Sequence, residues 1–315
     1  MIKNEFSFLS SDNKTNIHAI ICTPENGKYH RIFQIIHGMT EYIERYLHFM
    51  EYLTLKGFIV VGHDHLGHGQ SINTKEDLGY FGEPNPSELL INDIHKLRKI
   101  TTEKYPNLPY YMCGHSMGSY LLRRYICDHS NDLSGAIIIG TGYMSPCETL
   151  MSLTFIKILA CFKGTRHKSQ MIKKMSTDSK AYKRFDSGEK DDINNWLSRD
   201  KELVIKNTRD KKSNFDFTLN GYYGLIDTIR YCCNPTNVVR VKKDLPILFA
   251  SGDNDPVGND GEGVKKSCEI MKLVGSVDVT MKLFEKARHE ILNEINKQEV
   301  FECIVNWINE KSSSS

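Results

Sequence analysis

The chain has 315 residues, 40% of them hydrophobic and 25% charged, which are values of a globular protein able to bury a sizeable core rather than of a disordered chain. Lysine and arginine total 41 against 39 acidic residues, so the net charge of +2 argues against a dedicated nucleic-acid binder. Nine cysteines are too dilute for a disulfide scaffold and odd in number, and no Cys-x-x-Cys pair points to a zinc ribbon; free thiols in a reducing compartment are expected.

The amino terminus, MIKNEFSFLSSDNKTN, lacks the apolar segment of a signal peptide. The longest apolar stretch, Leu150–Phe162, is broken by Lys157 and is too short to span a bilayer. A cytoplasmic protein is the expectation. Phe6–Leu9 and Ile17–Cys22 read as an antiparallel hairpin at a sheet edge. Short apolar runs then recur at Arg31–His37, Phe58–His63, Tyr110–Cys113, Ala136–Ile139, Ile247–Ala250 and Val279–Phe284. Several are continuous rather than alternating, as in parallel strands covered on both faces. Helical spacing joins Leu90, Ile94 and Leu97 within Glu88–Thr101, and Val300, Phe301, Ile304, Trp307 and Ile308 near the end. Strands alternating with helices predict an α/β fold, with a mostly parallel sheet and helices on both faces.

From Tyr143 to Pro235 that rhythm is lost. The stretch reads as a helical cap inserted after the sixth strand, which divides the chain into a core of residues 1–142 and 236–315 and a cap of residues 143–235. Lys163–Lys212 holds 15 basic and 8 acidic residues. Its excess of +7 leaves −5 for the remainder of a chain with net charge +2. Such an excess is either a solvated face or a surface attracting anionic lipid or an anionic substrate. The Ser312–Ser315 tail is expected to fray.

Gly114-His115-Ser116-Met117-Gly118 follows a strand-like run and precedes a helix-like one, Tyr120–Cys127. This is the strand–turn–helix setting of a nucleophile elbow, where small residues flank a serine lifted above the sheet. A serine hydroxyl needs a base. His289 follows the last strand-like run and is the only histidine beyond His167. The imidazole in turn needs a carboxylate to hold its tautomer. Asp253 and Asp255 both follow the Ile247–Ala250 run, and both could be turn residues. The chain order Ser, Asp, His is that of an α/β-hydrolase. Two backbone N–H groups should face the developing oxyanion: Met117, directly after the serine, and Met39, in the loop after Arg31–His37. His37 is read as a prop for that loop. His63, Asp64, His65 and His68 tempt a metal reading, but their alternation and the glycines beside them fit a structured loop better.

HGMTEYIERY (His37–Tyr46), DHLGHGQS (Asp64–Ser71) and GHSMGS (Gly114–Ser119) together resemble the monoacylglycerol lipase and lysophospholipase group of α/β-hydrolases, including bacterial members of the serine aminopeptidase S33 superfamily. Ser119 departs from the group's second glycine. The resemblance implies an α/β-hydrolase fold and places the acid on Asp255 through a Gly-x-x-Asp pattern. It also likens Trp196–Asp200 and Phe217–Tyr223 to the cap of bacterial members. The expected chemistry is hydrolysis of a lipid-like ester, a monoacylglycerol or lysophospholipid, through an acyl-enzyme and with no cofactor or metal. The apolar cap residues Leu150, Leu153, Phe155, Ile156 and Leu159 are candidates for an acyl pocket, and equally for packing on the core. The basic cap would suit transient contact with a membrane surface. A peptidase or acyltransferase on the same three residues, or an inactive binding protein, are the other readings; oligomeric state is not legible.

Overall fold

The computed structural model describes residues 1–177, 179–186, 188 and 194–313. Within Lys163–Lys212, Asp178, Glu189, Lys190, Asp191 and Asp192 lie outside them, as do the last two serines of the tail. The chain opens with strands β1 (Ile2–Leu9) and β2 (Asn16–Thr23), followed by β3 (Arg31–Ile36) and a 3-10 turn at Ile43–Tyr46. Then come helix α1 (Leu47–Leu55), β4 (Phe58–His63), α2 (Pro86–Lys104), β5 (Tyr110–His115), α3 (Met117–His129) and β6 (Gly135–Ile139). Helices α4 (Pro146–Lys163), α5 (Gln170–Thr177), α6 (Lys180–Lys183), α7 (Lys201–Arg209), α8 (Leu219–Cys232) and α9 (Pro235–Val238) occupy the interval before the next strand. The chain closes with β7 (Ile247–Gly252), α10 (Glu262–Leu273), β8 (Val279–Phe284) and α11 (Lys297–Ser313).

The eight strands form one sheet in the order β1-β2-β4-β3-β5-β6-β7-β8. The β1–β2 and β2–β4 pairs are antiparallel and the rest parallel. β3 to β7 are buried almost throughout, because helices cover both faces. One face packs on Leu90 and Ile94 of α2, Leu121 and Tyr125 of α3, and Val264 of α10. The other packs on Phe49 and Leu53 of α1 and on Val300, Ile304 and Trp307 of α11. The continuous apolar runs therefore reflect burial from both sides. The edge hairpin is longer than its apolar core, since Ile2 to Leu9 pairs residue for residue with Thr23 to Asn16. Of the tail expected to fray, Ser312 and Ser313 belong to α11, and Ser314 and Ser315 lie outside the described residues. Ser312 Oγ donates to the Ile308 carbonyl and lies 2.9 Å from the Tyr111 hydroxyl.

No strand occurs between β6 and β7 among the described residues. α4 begins in a capping box: Ser145 Oγ accepts from Glu148 N–H, and the Glu148 carboxylate accepts from Ser145 N–H, which satisfies two end donors reciprocally. α8 packs on α2, α3 and α4. Phe217, Leu219 and Tyr222 join the core cluster of that face, and Arg123 of α3 reaches the Cys232 carbonyl at the end of α8 at 3.2 Å. This part of the insertion is continuous with the core. All nine cysteines are free thiols.

Candidate active site

Ser116 stands between β5 and α3 with φ 53° and ψ −120°. A non-glycine residue in that region carries backbone strain that its surroundings must sustain. Two close approaches show why glycines flank it. A Cβ on Gly118 would lie 2.0 Å from the Ile36 carbonyl oxygen, and one on Gly114 would lie 2.2 Å from the Gly118 carbonyl oxygen. Ser116 N–H donates to the Ile139 carbonyl at 3.0 Å. Ser119, where the resembled family carries glycine, donates its hydroxyl to the Ser116 carbonyl at 2.6 Å, so it braces the turn.

Asp255 and His289 sit on the loops after β7 and β8. His289 Nδ1 lies 2.9 Å from both Asp255 carboxylate oxygens, and both side chains are buried. Asp255 also accepts from Val257 N–H at 2.9 Å and the Ser251 hydroxyl at 3.1 Å. Burial works against its charge, but the neighbouring His289 and these hydrogen bonds outweigh that, and its carboxyl titrates below the ordinary value. Asp253 instead accepts from the Asn254 amide at 2.8 Å. Bonded to a carboxylate through Nδ1, the neutral imidazole presents an unprotonated Nε2. That nitrogen is buried and has no hydrogen-bond partner among the described residues.

The loop after β3 lies against the elbow: a Cβ on Gly38 would be 3.0 Å from Ser116 Cβ. Met39 and Met117 both line the cavity that Ser116 and His289 line. Met117 is the first residue of α3, so its N–H has no acceptor within the helix. His37 braces this loop. Its Nε2 accepts from His65 N–H at 2.9 Å, which leaves the proton on Nδ1 for the Gly38 carbonyl at 2.8 Å. Asp64 accepts from Ile43 N–H, Gln70 N–H and His18. Burial pushes His65 down to about 4 and His68 down to about 3, so these rings pack as neutral aromatics. His68 lies 5.6 Å from Phe81 and 5.4 Å from Phe217.

Beneath the site lies a buried network that the sequence did not reveal. Glu41 is 3.0 Å from His115 Nδ1 and 3.4 Å from Arg45, and it accepts from the Tyr46 hydroxyl at 2.6 Å. Arg45 also donates to both oxygens of Glu290, at 3.0 and 2.7 Å. His115 Nε2 lies 3.3 Å from the His289 carbonyl oxygen. Burial opposes charge on Glu41, but the His115 and Arg45 charges hold its carboxyl well below the usual range. Burial also opposes the charge on His115, and Glu41 more than compensates. The sequence signals were indirect: Glu41, Arg45 and Tyr46 fall within the HGMTEYIERY stretch that carries the family resemblance, and His115 and Glu290 adjoin Ser116 and His289.

The cavity above Ser116 has a volume of about 1360 Å³. Of the five apolar residues assigned to an acyl pocket, Phe155 and Ile156 line it. Leu150 does not: it is 61% exposed, because the inward stripe of α4 runs through Thr149, Leu153 and Ile156. Leu153 is buried and Leu159 packs against the core cluster, both off the cavity wall. Wall residues that sequence reasoning missed include Tyr120, Met144, Tyr182, Phe215 and Ile226. They come from five separate segments, so no local periodicity marks them.

A family model described as serine aminopeptidase, S33, matches residues 27–296. The monoglyceride lipase of Saccharomyces cerevisiae is 25% identical over 307 residues, covering 89% of this chain and 85% of that one. The human monoglyceride lipase is 23% identical over 286 residues, covering 89% and 83%. Among solved structures, a thermostable carboxyl esterase from Bacillus coagulans, in complex with glycerol, is similar with a TM-score of 0.90 at 32% identity, over 98% of this chain and 99% of that one. A structure described as a lipase in open form has a TM-score of 0.87 at 25% identity, over 98% and 99%.

The Glu41–His115 pair gives a pH signature. Removing one partner of a buried pair costs about 3–5 kcal/mol, because the other charge is left unpaired. His115 is raised above its ordinary 6.5, so its contribution is complete below that value and fades as pH rises through the folded value. Glu41 is depressed below its ordinary 4.5, so its contribution is complete above that value and fades as pH falls. Denaturant unfolding of wild type and His115→Asn should therefore differ most between pH 4.5 and 6.5. A stability gap that widens steadily above neutrality would contradict this assignment.

Proposed function

Because the chain belongs to the serine aminopeptidase S33 family of α/β-hydrolases, we propose that it hydrolyses lipid-like carboxylic esters, a monoacylglycerol first among them and a lysophospholipid second, through an acyl-enzyme on Ser116. The observation that carries this reading is one cavity lined by Ser116, by His289 and by apolar groups of α4 and α8. Residues 143–235 act as the cap over that cavity. Ser116 Oγ attacks the ester carbonyl while His289 Nε2 takes its proton. Asp255 holds the tautomer and stabilises the imidazolium. Met39 and Met117 N–H receive the oxyanion. His289 passes the proton to the leaving alcohol, and water repeats the cycle on the acyl-enzyme. The monoglyceride lipases among the relatives support the substrate class.

Ser116→Ala should abolish ester hydrolysis with an unchanged melt, and a fluorophosphonate should label wild type at Ser116 alone. Asp255→Asn should lower kcat by on the order of 10⁴, far more than Asp253→Asn. Label on another serine, or the reverse order of the two aspartates, would overturn these roles. Faster turnover of aminoacyl p-nitroanilides than of any ester would replace the reading with peptidase chemistry.

Each buried methylene contributes about 0.8 kcal/mol, so kcat/KM should climb with acyl length until the cavity is filled. Phe155→Asp and Ile156→Asp place a charge on the wall. They should penalise a dodecanoate ester far more than an acetate ester, with melting followed alongside. Equal losses on both esters by a folded variant would move the acyl site elsewhere.

The outer face supports contact with a membrane surface. Leu150, Ile158 and Phe162 of α4 and Met171 of α5 are exposed, with Lys157, Lys163, Lys168 and Lys174 on the same stretch. No helix among the described residues is long and apolar enough to cross a membrane. Cosedimentation with vesicles should be stronger for phosphatidylglycerol than for phosphatidylcholine and should weaken with salt. Phe162→Asp should reduce it several-fold. Equal binding to both lipids, or none, would remove membrane contact from the proposal.

A further inference from the structure

We propose that Trp196 of the cap is a positioning residue for His289, holding the imidazole by its face and favouring its protonated form. The inference rests on the reading of His289 as the general base. The two rings have centroids 5.1 Å apart at an interplanar angle of 37°, a distance at which an aromatic face attracts a cation. Trp196 is itself held. Tyr182 meets it edge-on at 5.0 Å and 82°, and Trp196 lines the same cavity as Ser116 and His289.

The backbone fixes this contact. Glu290 N–H donates to the Leu197 carbonyl at 2.7 Å, and His289 N–H to the Trp196 carbonyl at 3.4 Å. Arg288 donates to the Ser198 carbonyl at 3.1 Å and to the Asn195 carbonyl. The Ser198 hydroxyl donates to the Asn293 carbonyl at 3.1 Å, and Arg199 Nε donates to Glu294 at 2.9 Å. The strip of cap from Asn195 to Arg199 and the loop carrying His289 are therefore one bonded unit. These bonds hold the Trp196 backbone against the His289 loop, and the edge-on Tyr182 ring supports the indole in its place over the imidazole.

The charged surroundings explain what the indole adds. Asp255 faces Nδ1 and stabilises an imidazolium. His115, whose charge Glu41 supports, packs 4.8 Å from the same ring and opposes one. Glu290 is paired with Arg45, Arg288 points its guanidinium at the two cap carbonyls, and Tyr182 and Arg184 of the cap both stand within electrostatic reach of Asp255, Arg184 itself being paired with Asp260. Against the like charge of His115, the π-face of Trp196 is a neutral surface that still favours the positive ring. It needs no proton of its own.

The test is the titration of the His289 ring, followed by NMR in the whole protein labelled at histidine, for wild type, Trp196→Phe and Trp196→Leu. Loss of the indole should lower the His289 midpoint by about half a unit to one unit, with Trp196→Phe in between. In wild type the acid limb of kcat/KM for p-nitrophenyl butyrate follows the deprotonation of that ring. It should move to lower pH by the same amount in Trp196→Leu, while kcat/KM at the optimum falls about tenfold as the ring loses its fixed pose. A merely structural tryptophan would lower activity or melting temperature and leave both midpoints in place, and that result in a folded variant overturns the proposal. If Trp196→Leu does not fold, the same midpoint comparison on Trp196→Phe decides. An NMR shift without ester turnover in wild type would instead keep the Trp196 contact and overturn the ester reading.

Discussion

The buried pairing of Glu41 with His115, and of Arg45 with Glu290, fixes how three loops from distant parts of the chain stand relative to one another. Glu41 and Arg45 follow the Met39 loop, His115 adjoins Ser116, and Glu290 adjoins His289. Each charge gives up water on burial, a cost recovered only where partners meet at hydrogen-bond distance. At 3.0 Å for Glu41–His115 and 2.7 Å for Arg45–Glu290, a displacement of one loop would strand a charge. The network therefore acts as a positional lock as much as a source of stability. It also keeps the His115 ring, whose protonated form Glu41 favours, close to His289, so the environment of the proposed base is set from both the core and the inserted segment.

The insertion between β6 and β7 is held at two places. α8 and the turn before it join the core through Phe217, Leu219 and Tyr222, with Arg123 reaching the carbonyl at the end of α8. The Asn195–Arg199 strip is bonded to the His289 loop. α4 and α5 carry the exposed apolar side chains. A cap attached in this way presents its free apolar face outward on one side while its other side belongs to the catalytic machinery proposed above. Acyl selection and base positioning are thus assigned to different parts of one insertion.

Much of the architecture was legible because its causes are local. β3 to β7 announce themselves as continuous apolar runs, since burial on both faces leaves no polar alternation. Ser116 was legible because a strained strand–turn–helix crossing requires glycine on both sides, and Gly114 and Gly118 meet carbonyl groups at distances no side chain would allow. The cavity wall was read only in part. The apolar run Leu150–Phe162 was identified as helical, but its phase was not, so Leu150, Leu153 and Leu159 were grouped with Phe155 and Ile156. Which side of α4 faces the cavity depends on where α8 packs, and the sequence of α4 does not contain that information.

By itself the sequence determined the order of strands and helices, the elbow at Ser116, and the candidate status of His289 and the two aspartates after β7. These follow from periodicity, turn chemistry and chain order, which neighbouring residues carry. The resemblance placed the acid on Asp255, and in the fold Asp255, not Asp253, faces His289 Nδ1; tertiary structure alone decided that Glu41 and Arg45 tie the elbow to the base loop, and that Trp196 lies on the imidazole. Each of these joins residues tens to hundreds of positions apart. Their pairing is selected by burial and by the requirement that buried charges and polar groups find partners, a condition imposed by the folded volume and not by local sequence.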